Sequence, residues 1–347
     1  MTDTAVPALP VRKIGRTGVT VTELGLGTAP LGENLGLIEE DEARSLLQAA
    51  WDGGIRYFDT SPWYGKGQAE HRIGRAFYRQ PRDAFVISSK IGRILRRPLK
   101  PGPIDRDEWI GGLEFDTYFD YSYDGVMRSF EDSLQRLGIN RIDTLLIHDL
   151  DPWHFKVETK VTAYMNQLYT SGWRALEELR EQGVIGGIGA GFNLGATINR
   201  YLDMFDMDFF LLAMRYTLLE QEVLDSEFPN CEKRNVGIVV GGTYNSGILA
   251  TGAVPGARYN YAPADPQTMT RVARMEAVCR RHNVPLAAAA LQFPLGHKIV
   301  AAVIPGAIST EQVQQNLAAF NCSIPQDLWA ELKHEKLIRE DAPTPRR

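Results

Sequence analysis

Eight short apolar runs, each separated from the next by a longer segment of helical period, constrain the fold of this chain more than any other feature. The runs are Leu24–Gly27, Arg56–Asp59, Phe85–Ser89, Ile142–Ile147, Ile185–Gly189, Phe209–Leu212, Val236–Val240 and Ala301–Ile304. Several are continuously apolar, as strands covered on both faces must be, and the alternation predicts parallel strands joined by crossover helices. Helices are expected at Asp41–Asp52, Tyr123–Leu137 and Ser171–Gln182, stopped by Gly53, Gly138 and Gly183, where left-handed backbone costs least. Eight such units predict an α/β fold: a single (β/α)8 TIM barrel over residues 11–335, with terminal tails at 1–10 and 336–347. Val11–Val21, turning at Thr17-Gly18, reads as an N-terminal β-hairpin able to plug the bottom of that barrel. Two long connections, 91–122 and 241–267, follow strand ends and are expected over the C-terminal, catalytic face. The charged, proline-containing end from Arg339 is expected to fray.

Composition narrows the function. Thirty-eight basic against 43 acidic side chains give a net charge of −5, with no basic run to neutralise a row of phosphates, so nucleic acid is not an expected partner. The three cysteines, Cys231, Cys279 and Cys322, are odd in number and far apart, which fits a reducing, cytoplasmic setting. No stretch approaches the roughly 20 apolar residues of a membrane helix, and no signal-type apolar segment opens the chain. The six histidines never fall at ligand spacing, so no metal is expected. Gly187-Ile188-Gly189-Ala190-Gly191-Phe192 nearly matches a dinucleotide phosphate loop. Phe192 stands where the third glycine belongs, so the run reads as a strand end.

Asp59, Tyr64, Lys90 and His148 stand at or just past three successive predicted strand ends. Barrel geometry would open all of these junctions on one pocket. There an ammonium at Lys90 would stabilise a Tyr64 phenolate and lower its pKa, Asp59 would keep Lys90 charged, and His148 would donate to a substrate oxygen. Such a set suits proton transfer coupled to charge development on a carbonyl or alkoxide oxygen, as in hydride transfer. Singly, the four also read as a helix cap, a packing aromatic, a solvated charge and a core histidine.

From Val11 to Leu317 the sequence resembles the aldo-keto reductases. Phe58-Asp59-Thr60-Ser61-Pro62-Trp63-Tyr64-Gly65 is similar to the family's D-T-A-x-x-Y-G segment, and Glu70-x-x-Ile73-Gly74 to its following helix. Ser88-Ser89-Lys90 resembles its lysine-bearing strand end, and the stretch from Ser129 to His148 resembles its histidine-bearing one. The resemblance implies a barrel that binds a nicotinamide cofactor in extended form, with Tyr64 as general acid or base. It further implies Gly27, Thr28 and Ala29 beneath the nicotinamide, Asn193 at its carboxamide and Tyr216 stacked on it. Gly242, Tyr244, Ser246, Gly247 and Leu249 would cover the pyrophosphate, and Pro305, Gly306, Gln312, Gln315 and Asn316 would hold the adenosine.

Three departures from the family pattern bear on the cofactor. Gly189-Ala190-Gly191-Phe192-Asn193 replaces a G-x-S-N run, Ala213 replaces a glutamine, and Pro305–Asn316 contains no Lys or Arg. Without a cation there, a 2′-phosphate loses its charge-assisted hydrogen bonds, so NAD is expected over NADP. Cys231–Leu249, Leu286–Pro294 and His148-Asp149-Leu150-Asp151 resemble the family's sugar-dehydrogenase branch. That likeness implies oxidation of an aldose at C1 to the lactone. Asp149 or Asp151 would meet sugar hydroxyls, and Trp63 and Trp153 would wall the ring. Reduction of aldehydes, oxidation of pyridoxal and a non-catalytic nucleotide-binding barrel are the competing readings.

Overall fold

A computed structural model describes residues 8–99 and 102–346. The chain opens with β1 (Val11–Lys13) and β2 (Thr20–Thr22), then enters the barrel through β3 (Leu26–Gly27), β4 (Tyr57–Asp59) and β5 (Val86–Ile91). A surface pair, β6 (Arg93–Arg96) and β7 (Asp116–Phe119), precedes β8 (Thr144–His148), β9 (Gly187–Phe192), β10 (Phe209–Ala213) and β11 (Gly237–Gly241). A second surface pair, β12 (Arg258–Tyr259) and β13 (Ala262–Pro263), precedes β14 (Val300–Ile304). The eight-stranded sheet runs in the order β14-β11-β10-β9-β8-β5-β4-β3, with every pair parallel. Gly25 N donates to Val303 O at 2.9 Å and Val303 N to Glu23 O at 2.8 Å, which closes β14 on β3. Each of the eight apolar runs thus overlaps a barrel strand, most strands ending one to three residues beyond the run.

Two apolar layers follow from this closure. Inside lie Leu146, Phe209, Leu211, Val239 and Ile304, and outside, a second apolar cluster that includes Leu46, Ile73, Leu145 and Leu176 seals the sheet against the helices. Each fully buried side chain of this size contributes about 1.5–3 kcal/mol. The hairpin β1–β2 forms the floor. Ile14 packs into the interior layer with no exposure, and Gly15 lies against the backbone of Asp208 and Gly237, where a Cβ would come within 2.6 Å of Asp208 O. The Gly187–Phe192 run is strand β9 throughout, not a phosphate loop.

Glycine also sets one helix contact. At Gly74, in the helix Gln68–Phe77, a Cβ would stand 2.3 Å from Leu137 O, so only glycine lets this helix approach Tyr123–Leu137 so closely.

Several local expectations need correction. Gly53 has φ −76°, and the left-handed residue is Gly54 at φ 88°. The helix expected at Ser171–Gln182 starts earlier, at Glu158, and passes through one wide π-type turn, Leu168–Gly172, before Trp173–Glu181. Only Val161 and Met165 are buried in Glu158–Gln167, so its apolar stripe is too thin to read. The described end of the chain, through residue 346, packs rather than frays. Leu337, Ile338 and Ala342 are buried, and Arg339 pairs with Asp225 and Asp341.

Among the described residues no helix is long and apolar enough to cross a membrane.

Candidate active site

Strands β4, β5 and β8 are neighbours in the sheet, so their C-terminal ends bring Asp59, Lys90 and His148 to one mouth. Lys90 Nζ donates to Asp59 Oδ1 at 2.6 Å and to Thr60 O at 2.9 Å, and lies 4.6 Å from the centroid of the Tyr64 ring. That ring meets His148 edge to face at 5.8 Å and Trp109 at 5.9 Å. Tyr64 occupies the turn after β4, where Gly65 (φ 62°) and Gly67 (φ 100°) take left-handed backbone. Gly32 packs against the Tyr64–Gly65 peptide so tightly that a Cβ there would be 2.3 Å from Gly65 N.

Burial decides the charge states. It lowers His148 well below the ordinary histidine value, assisted by Arg93, Lys90 and His154, so the imidazole is neutral. Its Nδ1 lies 3.0 Å from Ser61 Oγ and its Nε2 lies 3.4 Å from Asp149 Oδ2. An ionised carboxylate only accepts, which favours the tautomer protonated on Nε2, with Ser61 donating to Nδ1. The expected lowering of the Tyr64 pKa is not what the fold produces. The phenol is pushed well above its ordinary value, by burial first, then by Asp59, Asp149 and Tyr261, with Arg93 opposing. Asp59 offsets much of the Lys90 charge that would otherwise stabilise a phenolate. At neutral pH Tyr64 is therefore a protonated donor.

Beyond the four, the mouth holds residues the sequence did not flag. Arg93, the first residue of β6, pairs through Nη2 with Asp149 Oδ2 at 2.6 Å and stacks 4.5 Å from the Trp63 ring. Tyr261, at the tip of β12–β13, accepts from Asn193 Nδ2 at 3.0 Å and is among the groups that raise the Tyr64 pKa. An arginine three residues past the candidate lysine was the available signal for Arg93. Tyr261 sits far along the chain and carried none. Of the expected substrate contacts, Trp63 and Asp149 flank this mouth. Trp153 lies between the cations of Lys156 and Arg215, which sit 4.7 and 5.3 Å from its ring. Asp151 is corrected to a helix cap, accepting from His154 N at 2.9 Å.

The expected cofactor residues fall on the same face, with one exception. Gly27 N donates to Pro305 O at 3.1 Å, and Thr28 Oγ1 to Asp59 O at 2.8 Å, so Gly27–Ala29 meet Pro305 and Gly306 beside the Asp59 strand end. Tyr244 donates to Asn316 Oδ1 at 2.8 Å, tying the 242–249 loop to the helix Thr310–Asn321. Asn245, Ser246 and Gly247 are all left-handed, and Leu249 is wholly in the core, its N–H donating to Tyr244 O at 3.1 Å. Gln312 and Gln315 sit on the first turns of that helix and hold Ile308 N and Glu311. Among the described residues, the buried oxygens Thr243 Oγ1, Asn245 Oδ1 and Thr310 Oγ1 have no protein partner, which fits a polar ligand laid along these loops. The exception is Tyr216. Met214, at φ 64°, turns the chain after β10, and the Tyr216 ring is enclosed by Phe228, Phe293 and His297 at 4.8–5.8 Å, away from the mouth. It is a core residue.

Comparison with known proteins gives a consistent answer. The model of the Aldo/keto reductase family matches residues 23–335. Pyridoxal 4-dehydrogenase of Microbacterium luteolum is 44% identical over 94% of this chain and 97% of its own. D-threo-aldose 1-dehydrogenase of a Pseudomonas species is 38% identical over the same shares. A solved aldo-keto reductase of Bacillus halodurans, in its holo form, superposes with a TM-score of 0.72 at 24% identity, covering 98% of this chain and 99% of that one. The barrel is thus that of a known architecture, and the chain is an oxidoreductase that belongs to the aldo/keto reductase family.

Proposed function

We propose that the protein oxidises an aldose at C1 to the lactone, with NAD as hydride acceptor. The observation that carries this reading is the convergence of Tyr64, His148 and the Lys90–Asp59 pair at one mouth, 2.6 Å within the pair and 5.8 Å between the rings. The 38% relative named as an aldose 1-dehydrogenase supports the substrate. When bound, the oxidised nicotinamide supplies the hydride acceptor and a positive charge. His148 Nε2–H donates to the reacting oxygen and fixes it beside Tyr64. The C1 hydroxyl gives its proton to the phenolate oxygen of the minor, deprotonated form of Tyr64 as the hydride leaves C1, so the sugar loses two electrons and two protons in all, one of them within the hydride. Lys90 is the cation facing that phenolate, 4.6 Å from the ring centroid, and Asp59 holds it in place while offsetting part of its charge.

NAD is favoured over NADP by the charge around the helix Thr310–Asn321. Glu42 accepts from Thr310 N at 2.6 Å, Glu311 lies in the first turn, and residues 305–316 contain no cation. Carboxylates accept from a ribose hydroxyl and repel a phosphate. Gly27–Ala29, Asn193, Gly242–Leu249, Pro305, Gly306, Gln312, Gln315 and Asn316 are the proposed cofactor contacts, and Trp63, Asp149 and Trp153 the proposed substrate contacts. A cytoplasmic setting accords with three unpaired cysteines.

Oxidation of pyridoxal is the second reading, favoured by the 44% relative. Absorbance of reduced nicotinamide, followed with NAD or NADP and L-fucose, D-arabinose, L-galactose or pyridoxal, separates the two. Reduction of NAD by one sugar supports the proposal. Activity confined to pyridoxal replaces it, and silence in every oxidation with consumption of NADPH by simple aldehydes turns it into a reductase.

A further inference from the structure

We propose that Arg93 is a specificity-determining positioning residue: by holding the Asp149 carboxylate beside His148, it directs the site to substrates with a hydroxyl on the carbon next to the reacting one. The inference rests on the reading that His148 and Tyr64 hold the reacting oxygen.

Arg93 is fixed from several sides. Its side chain is 1% exposed, although it lies in a surface hairpin, because the guanidinium is laid over Trp63 at 4.5 Å and near Phe119 at 5.6 Å. Nη2 donates to Asp149 Oδ2 at 2.6 Å and lies 3.3 Å from His154 Nδ1. A planar, weakly hydrated guanidinium suits such a stacked and paired site, whereas an ammonium is a point charge without a face to stack. Asp149 is held in turn. Its left-handed backbone (φ 48°) follows the end of β8 directly, and its N–H donates to Gly191 O at 2.8 Å.

This geometry places one carboxylate against the reacting centre. Asp149 Oδ2 is 3.4 Å from His148 Nε2. An oxygen held by Nε2 at a hydrogen-bond length of about 2.8–3.0 Å therefore lies next to a carboxylate, and a hydroxyl on the neighbouring carbon is the group that reaches it. Asp149 is 21% exposed, so it remains open to such a hydroxyl while Arg93 is not. Burial acts against ionisation of Asp149, and Arg93 is the first cation that opposes it. A substrate lacking the hydroxyl leaves this carboxylate with Arg93 but one hydrogen bond short, the arrangement by which polar sites reject analogues.

The test compares paired substrates that differ only in that hydroxyl: D-glyceraldehyde against 3-hydroxypropanal with reduced nicotinamide, and L-fucose against 2-deoxy-L-fucose with the oxidised form. The wild type is expected to prefer the hydroxylated member by about 100-fold in kcat/KM, a fraction of what fully buried polar sites achieve. Arg93→Met and Asp149→Asn are each expected to reduce that preference to about fivefold or less, mainly through KM of the hydroxylated member. With Arg93→Met, turnover of 3-hydroxypropanal should stay within about threefold. The double variant should lose no more than either single one. Arg93→Lys should fall in between, and it decides the outcome if Arg93→Met fails to fold. Absence of preference in the wild type, unchanged preference in the variants, or equal loss on both members of a pair overturns the proposal. If neither sugar is oxidised yet the glyceraldehyde preference is present and is lost with Arg93, the aldose reading fails and this inference stands.

Discussion

Lys90 Nζ stands 2.6 Å from Asp59 Oδ1, and the two side chains are 2% and 3% exposed. Neither charge has water to fall back on, so each depends on the other. Loss of one partner from such a pair leaves an uncompensated charge, which costs about 3–5 kcal/mol. Asp59→Asn is therefore expected to lower stability by about 3 kcal/mol in urea unfolding, at the low end because the amide still accepts from Lys90. The double variant Asp59→Asn/Lys90→Met should lose less than the sum of its singles, the signature of direct coupling.

Tyr64→Phe should abolish turnover while leaving quenching of protein fluorescence by NAD nearly unchanged. In the wild type, the raised Tyr64 pKa means that its basic form is scarce at neutral pH. Oxidation should accordingly quicken about tenfold per pH unit on the neutral-to-alkaline side. Reduction, which needs the protonated phenol, should be flat there. His148 adds no limb near its ordinary value, because its folded pKa lies well below it. The unfolded chain takes up that proton near pH 6.5 and the folded chain does not, so the contribution of His148 is present above about pH 6.5 and is lost as pH falls toward the folded value. Urea midpoints at pH 7.5 and 5.5, in wild type and His148→Gln, measure it.

Cofactor choice should respond to one added cation. Gln312 sits on the first turn of Thr310–Asn321, near Glu42 and Glu311. Gln312→Arg is expected to raise kcat/KM for NADP about tenfold relative to NAD, the effect of about 1.4 kcal/mol of charge-assisted hydrogen bonding. An unchanged ratio would place the 2′ position elsewhere.

Gly74→Ala tests packing away from the chemistry. The new methyl would lie 2.3 Å from Leu137 O, a backbone atom that cannot rotate aside. Overpacking of this kind costs about 1–3 kcal/mol. The thermal midpoint should fall while kcat stays within about twofold.

The barrel was legible because its strands are covered on both faces and bear that burial in their composition: Ile142–Ile147 and Val236–Val240 read as strands without help from any neighbour. Hairpins β6–β7 and β12–β13 were not, since each lies over the mouth on mixed polar surroundings and follows no clean alternation. The meeting of Asp59, Tyr64, Lys90 and His148 was legible because three neighbouring strand ends open on one face. The Arg93–Asp149 pair spans 56 residues of sequence and exists only once the hairpin folds back. Tyr216 was misplaced for a related reason: its ring packs against Phe228, Phe293 and His297, which lie 12, 77 and 81 residues further along the chain, and no local spacing announces that pocket.

The floor formed by Ile14 and Gly15 turns the barrel into a cul-de-sac. Whatever reaches Asp59, Lys90 and His148 then comes from the strand-end mouth, so what settles deepest there arrives first and departs last. Traffic through that mouth, flanked by Trp63 and Tyr261, then becomes a candidate for the slow step, and a change at the rim can alter turnover without touching the atoms that react.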